Sequence, residues 1–209
     1  MSTQVMLSNR GLRLGAGLPE RGREDAAARR SAHHAVTLRT ATPSEAPALH
    51  ALIAAHLEEG RLLPRAVEEL QVHAGRFVVA VRGRHIVGCA ELAPLNAKTA
   101  EVRSLVVDRR ARGLGIGRRM VDELQHEARV AGYERLCAFA HEPGYFVRMG
   151  FSIVPHTWVP EKIAHDCSSC SLFRRCGQHA VILPLTRAAR ATVAAAAEPA
   201  AAATAALEG

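Results

Sequence analysis

The stretch AEVRSLVVDRRARGLGIGRRM, from Ala100 to Met120, constrains the fold most, because a β-branched run passes directly into a glycine-rich turn. Residues 102–107 predict a buried strand. Gly113, Gly115 and Gly117 then remove the Cβ atom where the backbone must turn and approach a ligand. Apolar residues at helical spacing follow, so the amides of the turn belong to a helix N-terminus, which suits an anion such as a pyrophosphate.

Arginines surround this turn, at positions 109, 110, 112, 118 and 119. A plain turn without a ligand is the alternative, but it would concentrate this charge with nothing to neutralise it. A P-loop is not indicated, because no Lys-Ser or Lys-Thr pair follows the glycines. A dinucleotide-binding Rossmann site is disfavoured, because a strand-rich segment already precedes the turn.

The pattern Arg-x-x-Gly-x-Gly, carried by Arg112, Gly115 and Gly117, resembles the signature of the GCN5-related N-acetyltransferases, the GNAT family. EPGYFVRMGF, at residues 142–151, is similar to the segment that follows the fifth strand in that family. The resemblance spans about residues 36–185 and implies a mixed α/β (α+β) fold, with a mostly antiparallel central sheet and flanking helices. It also implies acetyl-CoA as cofactor, held by Leu105, Val106, Val107, Arg112, Gly113, Leu114, Gly115, Ile116, Gly117 and Arg118.

Three segments narrow the resemblance, namely EGRLLPR (59–65), AEVRSLVV (100–107) and PEKIAHDCSSCSLFRRC (160–176). Together they resemble the short, single-domain N-acetylglutamate synthases of arginine biosynthesis. The resemblance implies direct attack of the α-amine of L-glutamate on the thioester, without an acyl-enzyme. Two alternatives stay open: acetylation of a protein N-terminus, polyamine or drug amine, and a metal- or redox-sensing module on the same scaffold.

Acetyl transfer to an amine requires a group that accepts the amine's proton. Glu91 and Glu101 are the candidate bases, with Glu101 preferred because its strand is expected to carry the thioester; either could instead be a surface charge. The resemblance implies a tyrosine as general acid, but the usual spacing points to Phe146. Tyr145 is one residue off, which turns a helical side chain by about 100°. His141 or water could replace it, or no general acid is needed, because a thiolate is a tolerable leaving group near neutral pH.

A substrate with two carboxylates favours guanidinium groups in its site. Arg65 and Arg103 are the candidates for substrate binding. Arg103 has the stronger case, because a charged residue within an apolar strand is costly unless it is paired or hydrated. The alternatives are an internal salt bridge for Arg103 and an exposed helix position for Arg65.

Cys167, Cys170 and Cys176 form a C-x2-C-x5-C pattern. Three thiols in ten residues indicate zinc or another thiophilic metal, with His179 as the fourth ligand and His165 as its alternative. Three reduced thiols in a loop are the other interpretation. The remaining cysteines, Cys89 and Cys137, lie in apolar strands and are expected in the core.

The organisation predicted for the 209 residues is a flexible basic leader (1–34), an acetyltransferase domain (35–185, with the Cys-rich segment 165–179) and an Ala-rich tail (186–209). Seven arginines against three acidic residues fall within residues 1–40, which places +4 of the net charge of +7 in this N-terminal stretch. No aromatic residue precedes Phe77, so the leader offers no stacking platform for nucleic acid.

Five cysteines, no signal-peptide pattern and no long apolar run predict a cytoplasmic protein without membrane contact. A homodimer is left open. Strands are expected at 35–40, 77–81, 85–93, 102–107, 135–140, 151–154 and 180–184. Helices are expected from a cap at Thr42 to about Gly60, at 64–73, from the glycine turn to about Ala131, and at 145–149.

Overall fold

The structure is a computed structural model that describes residues 35–57, 62–168, 170 and 173–194. The predicted leader lies outside the described residues, as does the predicted tail from residue 195 onward. The earlier part of that tail, residues 187–194, is helical. Among the described residues, no helix combines the length and the apolar character needed to cross a membrane.

The described residues form a seven-stranded sheet with the order β1-β2-β3-β4-β5-β7-β6. The β4–β5 pair is parallel and every other neighbouring pair is antiparallel. The predicted mixed, mostly antiparallel sheet is therefore confirmed. The strands are β1 (Val36–Thr40), β2 (Phe77–Arg82), β3 (His85–Pro94), β4 (Thr99–Val107), β5 (Arg135–Ala140), β6 (Ser152–Val154) and β7 (His179–Pro184).

Five helices matter for the site: α1 (Ala46–Ala54), α2 (Val67–Val72), α3 (Ile116–Val130), α4 (Gly144–Val147) and α5 (Pro160–Lys162), which continues as a π-helical stretch (Ile163–Cys167). The expected cap is present, because the Glu45 carboxylate accepts a hydrogen bond from the Thr42 amide at 2.9 Å. α1 ends at Ala54, earlier than expected. α2 begins later than expected, because Ala66 is still extended at ψ 147°.

Helices cover both faces of the sheet. This arrangement buries strand β2, which is apolar on both of its faces. Val78 and Ala80 pack with the buried stripe of α3, which includes Met120 and Leu124. The alternate positions of β2 pack against α1 and α2, together with the buried Cys89. Cys137 is also fully buried, so both cysteines expected in the core are found there.

The sheet opens between β4 and β5. These strands pair only at their beginnings, over the three partners from Thr99↔Arg135 to Glu101↔Cys137. Beyond Glu101, β4 is deflected by a bulge: its register with β3 shifts between Cys89 and Glu91, and Ser104 has φ +48°. A bulge bends its strand and re-aims the side chains that follow it. The resulting cleft between the two strands positions the candidate site.

Candidate active site

A cavity of about 480 Å³ lies where β4 ends and α3 begins. Nine of the ten residues predicted to hold the cofactor line it, namely Leu105, Val106, Val107, Arg112, Gly113, Gly115, Ile116, Gly117 and Arg118. The tenth, Leu114, is outside the lining, and the residue is 60% exposed. We call this space the donor cavity.

The loop that closes the donor cavity depends on two glycines in the left-handed region. Gly113 has φ +80°, and Gly115, the N-cap residue of α3, has φ +72°. The Arg112 Nε donates a hydrogen bond to the Val107 carbonyl at 3.0 Å, which ties the loop to the end of β4. The first amides of α3 therefore face a cavity edged by arginine, which is the arrangement that binds a phosphate group.

Substitution of Gly115 by alanine tests this loop. A Cβ atom would meet nothing within 4 Å, so the cost arises from φ +72° alone, at about 1–2 kcal/mol. Relief of that strain reorients the amides at the helix start, and we expect about tenfold weaker CoA binding by calorimetry. Gly132→Ala is the matched control, because Gly132 also has open space and φ +83° but lies at the far end of α3. Equal CoA affinity in both variants would contradict the assignment.

A second cavity, also of about 480 Å³, occupies the cleft between β4 and β5. It shares Leu62, Leu105 and Tyr145 with the donor cavity. We call it the acceptor cavity. Of the predicted catalytic and substrate-binding residues, Glu101, Tyr145, Arg65 and Arg103 line it, and Glu91 does not. The two cavities therefore meet beside Tyr145, and the candidate polar groups lie in the second one.

Glu101 is the buried carboxylate of the acceptor cavity, with 3% of its surface exposed. The Lys162 Nζ donates a hydrogen bond to Glu101 Oε2 at 2.8 Å and another to Asp166 Oδ2 at 2.7 Å. Burial raises the pKa of Glu101 above its usual range, although the Lys162 and Arg103 cations act to lower it. Burial alone would lower the pKa of Lys162, but the two carboxylates hold it above its usual value. Glu101 is thus a carboxylate with raised basicity.

Glu91 lies behind the wall of the acceptor cavity and forms a buried ion pair with Arg65. The Arg65 Nη1 donates to Glu91 Oε2 at 2.8 Å and to Ser104 Oγ at 3.0 Å. The Arg65 Nε donates to both carboxylate oxygens of Glu69 at 3.0 Å. Glu91 therefore has the position of a counter-ion that fixes Arg65, and Glu101 has the position expected of a base.

Arg103 reaches the acceptor cavity, and among the residues that the structure describes its guanidinium has only two ion-pair contacts, both long. Its Nε lies 3.8 Å from Glu101 Oε2 and its Nη2 lies 3.6 Å from Asp166 Oδ2. Both separations exceed normal hydrogen-bond length. Its side chain is 27% exposed. The donors of Arg103 are thus available to a ligand in the cavity.

Tyr145 faces both cavities, although the family spacing points to the next residue. Phe146 is buried and stacks edge-on against Phe151, with ring centroids 5.2 Å apart. A Cβ atom on Gly117 would lie 2.5 Å from the Tyr145 hydroxyl, which shows how closely that hydroxyl approaches the start of α3. Burial raises the pKa of Tyr145, and Asp122 adds to the effect. The phenol therefore stays protonated at neutral pH.

The zinc prediction is not supported. Among the described residues, no three His, Cys, Asp or Glu side chains lie close enough together to hold a metal ion. The predicted ligands Cys167 and Cys170 are half-buried on the wall of the acceptor cavity, and Cys176 lies at its edge with an exposed side chain. His179 is the exposed first residue of β7, where it pairs with Ala140. These cysteines are free thiols in the structure.

Lys162 and Asp166 were not anticipated from the sequence. Lys162 is bound to a carboxylate 61 positions earlier in the chain. The only local sign of the site in the sequence is the spacing of four residues between Lys162 and Asp166. This spacing places both side chains on one face of a helical stretch. Such pairs are common on helix surfaces, so the spacing alone does not identify a site.

Residues 46–151 match the family model described as the Acetyltransferase (GNAT) family. An uncharacterized N-acetyltransferase of Chlorobaculum tepidum is 30% identical over 148 residues, which are 71% of this chain and 96% of that protein. An amino-acid acetyltransferase of Neisseria meningitidis is 31% identical over 136 residues, which are 64% of this chain and 31% of that protein.

The fold is also similar to that of N-acetylglutamate synthase from Neisseria gonorrhoeae, whose structure was solved with coenzyme A and N-acetyl-glutamate. The TM-score is 0.65 at 29% identity, over 73% of this chain and 36% of that one. The chain thus spans about a third of the length of both Neisseria relatives.

Proposed function

The chain belongs to the GNAT acetyltransferase family and is an acetyl-CoA-dependent N-acetyltransferase, and we propose that its acceptor is the α-amine of L-glutamate. Acetyl-CoA supplies the acetyl group as a thioester. The donor cavity fits it, because the left-handed glycine loop and the arginines meet at the start of α3. This reaction would serve arginine biosynthesis, and we place the protein in the cytoplasm, where acetyl-CoA and free amino acids meet.

The proposal of glutamate as the acceptor rests mainly on Arg103. Glutamate has two carboxylates, and the guanidinium of Arg103 lies in the acceptor cavity with only two long ion-pair contacts to the described residues. An arginine fork binds a carboxylate through two parallel hydrogen bonds. Arg65 lies on the same wall, but its guanidinium is already paired with Glu69 and Glu91, so Arg103 is the better candidate for the substrate carboxylate. The relatives described as amino-acid acetyltransferases support an amino-acid acceptor.

Glu101 is the proposed base and Tyr145 the proposed acid. Glu101 takes a proton from the bound α-ammonium, directly or through water, so that the neutral amine can attack the thioester. Burial makes its carboxylate a stronger base than an exposed glutamate. The Tyr145 hydroxyl, at the junction of the two cavities, donates a proton to the departing thiolate. No acyl-enzyme forms in this scheme.

Replacement of Arg103 by methionine tests the acceptor assignment. We expect KM for glutamate to rise about 10–100-fold, the effect of losing hydrogen bonds to a charged group. KM for acetyl-CoA should change less than about twofold, because Arg103 does not line the donor cavity. The measurement is steady-state kinetics with each substrate varied in turn.

Arg129→Met is the matched control for this variant, because Arg129 is an exposed arginine near the end of α3. It should leave both KM values unchanged. An unchanged KM for glutamate in the Arg103 variant would contradict the proposed role of Arg103.

A further inference from the structure

Lys162 is the close polar partner of Glu101, and the proposed mechanism leaves it without a role. Its Nζ lies 2.8 Å from Glu101 Oε2 and 2.7 Å from Asp166 Oδ2. The same atom lies 5.4 Å from the centre of the Phe139 ring. Only 11% of the side chain is exposed. The ammonium group is therefore held between two carboxylates and an aromatic face, away from bulk water.

The neighbouring residue anchors the segment that carries Lys162. The Glu161 carboxylate accepts hydrogen bonds from Arg135 Nη2 at 2.5 Å, Asn96 Nδ2 at 2.8 Å and Thr99 Oγ1 at 3.2 Å. Thr99 and Arg135 are the first residues of β4 and β5, where the two strands still pair, and Asn96 lies in the turn just before β4. The short helix α5 is thus fixed at the closed end of the cleft, and Lys162 is preorganised toward Glu101.

We propose that Lys162 is a positioning residue for the catalytic base, holding the Glu101 carboxylate in one orientation and keeping it ionised at neutral pH. This role rests on the proposed function of Glu101. A cation within about 4–6 Å favours the charged form of a carboxylate by about 1–3 pKa units. Without that cation, burial leaves Glu101 protonated over part of the pH range in which it must accept a proton.

The other groups around Glu101 cannot replace Lys162. Arg103, on the same strand, lies 3.8 Å from Glu101 Oε2, which is beyond hydrogen-bond distance, and its side chain is 27% exposed, so solvent screens its effect on the carboxylate. Asp166 acts in the opposite sense, since a second carboxylate raises the pKa of Glu101. On the adjacent strands Glu101 faces Ala93, which carries no charge, and Cys137, whose thiol stays protonated because burial raises its pKa.

The test compares the pH dependence of kcat/KM in the Lys162→Met and Lys162→Arg variants. In the methionine variant we expect the acidic limb to move to higher pH by about 1–3 units. Activity should recover at alkaline pH, where Glu101 is ionised again. The arginine variant keeps the positive charge, so its acidic limb should stay at the wild-type position.

Leu124→Ala is the control for a general loss of stability. Leu124 is fully buried in α3 and lines neither cavity. The variant should lower the thermal stability, as a large-to-small change in the core does, and leave the acidic limb in place. The proposal is overturned if the limb is unmoved in Lys162→Met, or if Lys162→Arg or Leu124→Ala moves it equally.

A direct titration separates this proposal from the proposed function. Carbon-13 NMR of glutamate-labelled protein follows the Glu101 carboxyl without any substrate, and the signal is assigned by its loss in Glu101→Gln. The Glu101 pKa should rise in Lys162→Met and stay in place in Lys162→Arg. An unchanged pKa in Lys162→Met overturns the role of Lys162. If the protein acetylates no glutamate but the Glu101 pKa still rises in Lys162→Met, the role of Lys162 stands and the proposed acceptor is overturned.

Discussion

Replacement of Glu101 by glutamine should lower kcat at neutral pH by about 10²–10⁴-fold, the usual contribution of a general base. Glutamine keeps the size of the side chain but cannot accept the proton of the α-ammonium. The acidic limb of the pH profile should also disappear, because the raised pKa of the Glu101 carboxyl sets it. Activity in the wild type therefore falls as the pH drops through that pKa.

Steady-state kinetics over a range of pH measures both effects, and calorimetry checks that CoA still binds. Glu142→Gln is the matched control, because Glu142 lines the same cavity and has no catalytic role in the mechanism. It should keep near-wild-type activity. A Glu101→Gln variant that keeps wild-type kcat, or that keeps the acidic limb, would show that another group is the base.

Replacement of Arg65 by methionine should lower the free energy of unfolding by about 3–5 kcal/mol, the effect of breaking one partner out of a buried ion pair. The reason is Glu91, which is 1% exposed and accepts a hydrogen bond from Arg65 at 2.8 Å. Methionine leaves this carboxylate buried without its cation. The cost should fall in the double variant Arg65→Met, Glu91→Gln, because the second change removes the unpaired charge.

Urea denaturation measures these differences. Arg39→Met is the matched control, because Arg39 also pairs with a glutamate, Glu45, but with 45% of its side chain exposed. Its loss should cost at most about 1 kcal/mol, as expected of a surface pair. Equal losses for the Arg65 and Arg39 variants would show that the Arg65–Glu91 pair is not buried in solution.

The donor half of the site could be predicted from the sequence because its determinants are local. The left-handed turns at Gly113 and Gly115 need glycine, and α3 follows them within the same 20-residue stretch. Strand β2 could also be predicted from the sequence, because a continuous apolar run is typical of a strand that is buried on both faces.

The acceptor half depends on contacts between distant parts of the chain. The sequence favoured Glu101 over Glu91 only through the strand expected to carry the thioester. The structure adds the pairing of Glu91 with Arg65, 26 positions away, which the sequence does not reveal. The orientation of Tyr145 depends on which side chain of the four-residue helix α4 enters the core, and Phe146 does so. The thiol pattern suggested zinc, but metal binding needs convergence in space, which spacing alone does not provide.

The most direct test of the proposed acceptor is an assay of the purified full-length chain with acetyl-CoA and a panel of amines, with the acetylated products detected by mass spectrometry. The panel contains L-glutamate, L-aspartate, L-glutamine, spermidine and a peptide with a free N-terminus, and Glu101→Gln serves as the inactive control. We expect N-acetyl-L-glutamate to form with the highest kcat/KM and to be lost in the control. Acetylation of spermidine or the peptide in preference to glutamate would contradict the proposed acceptor.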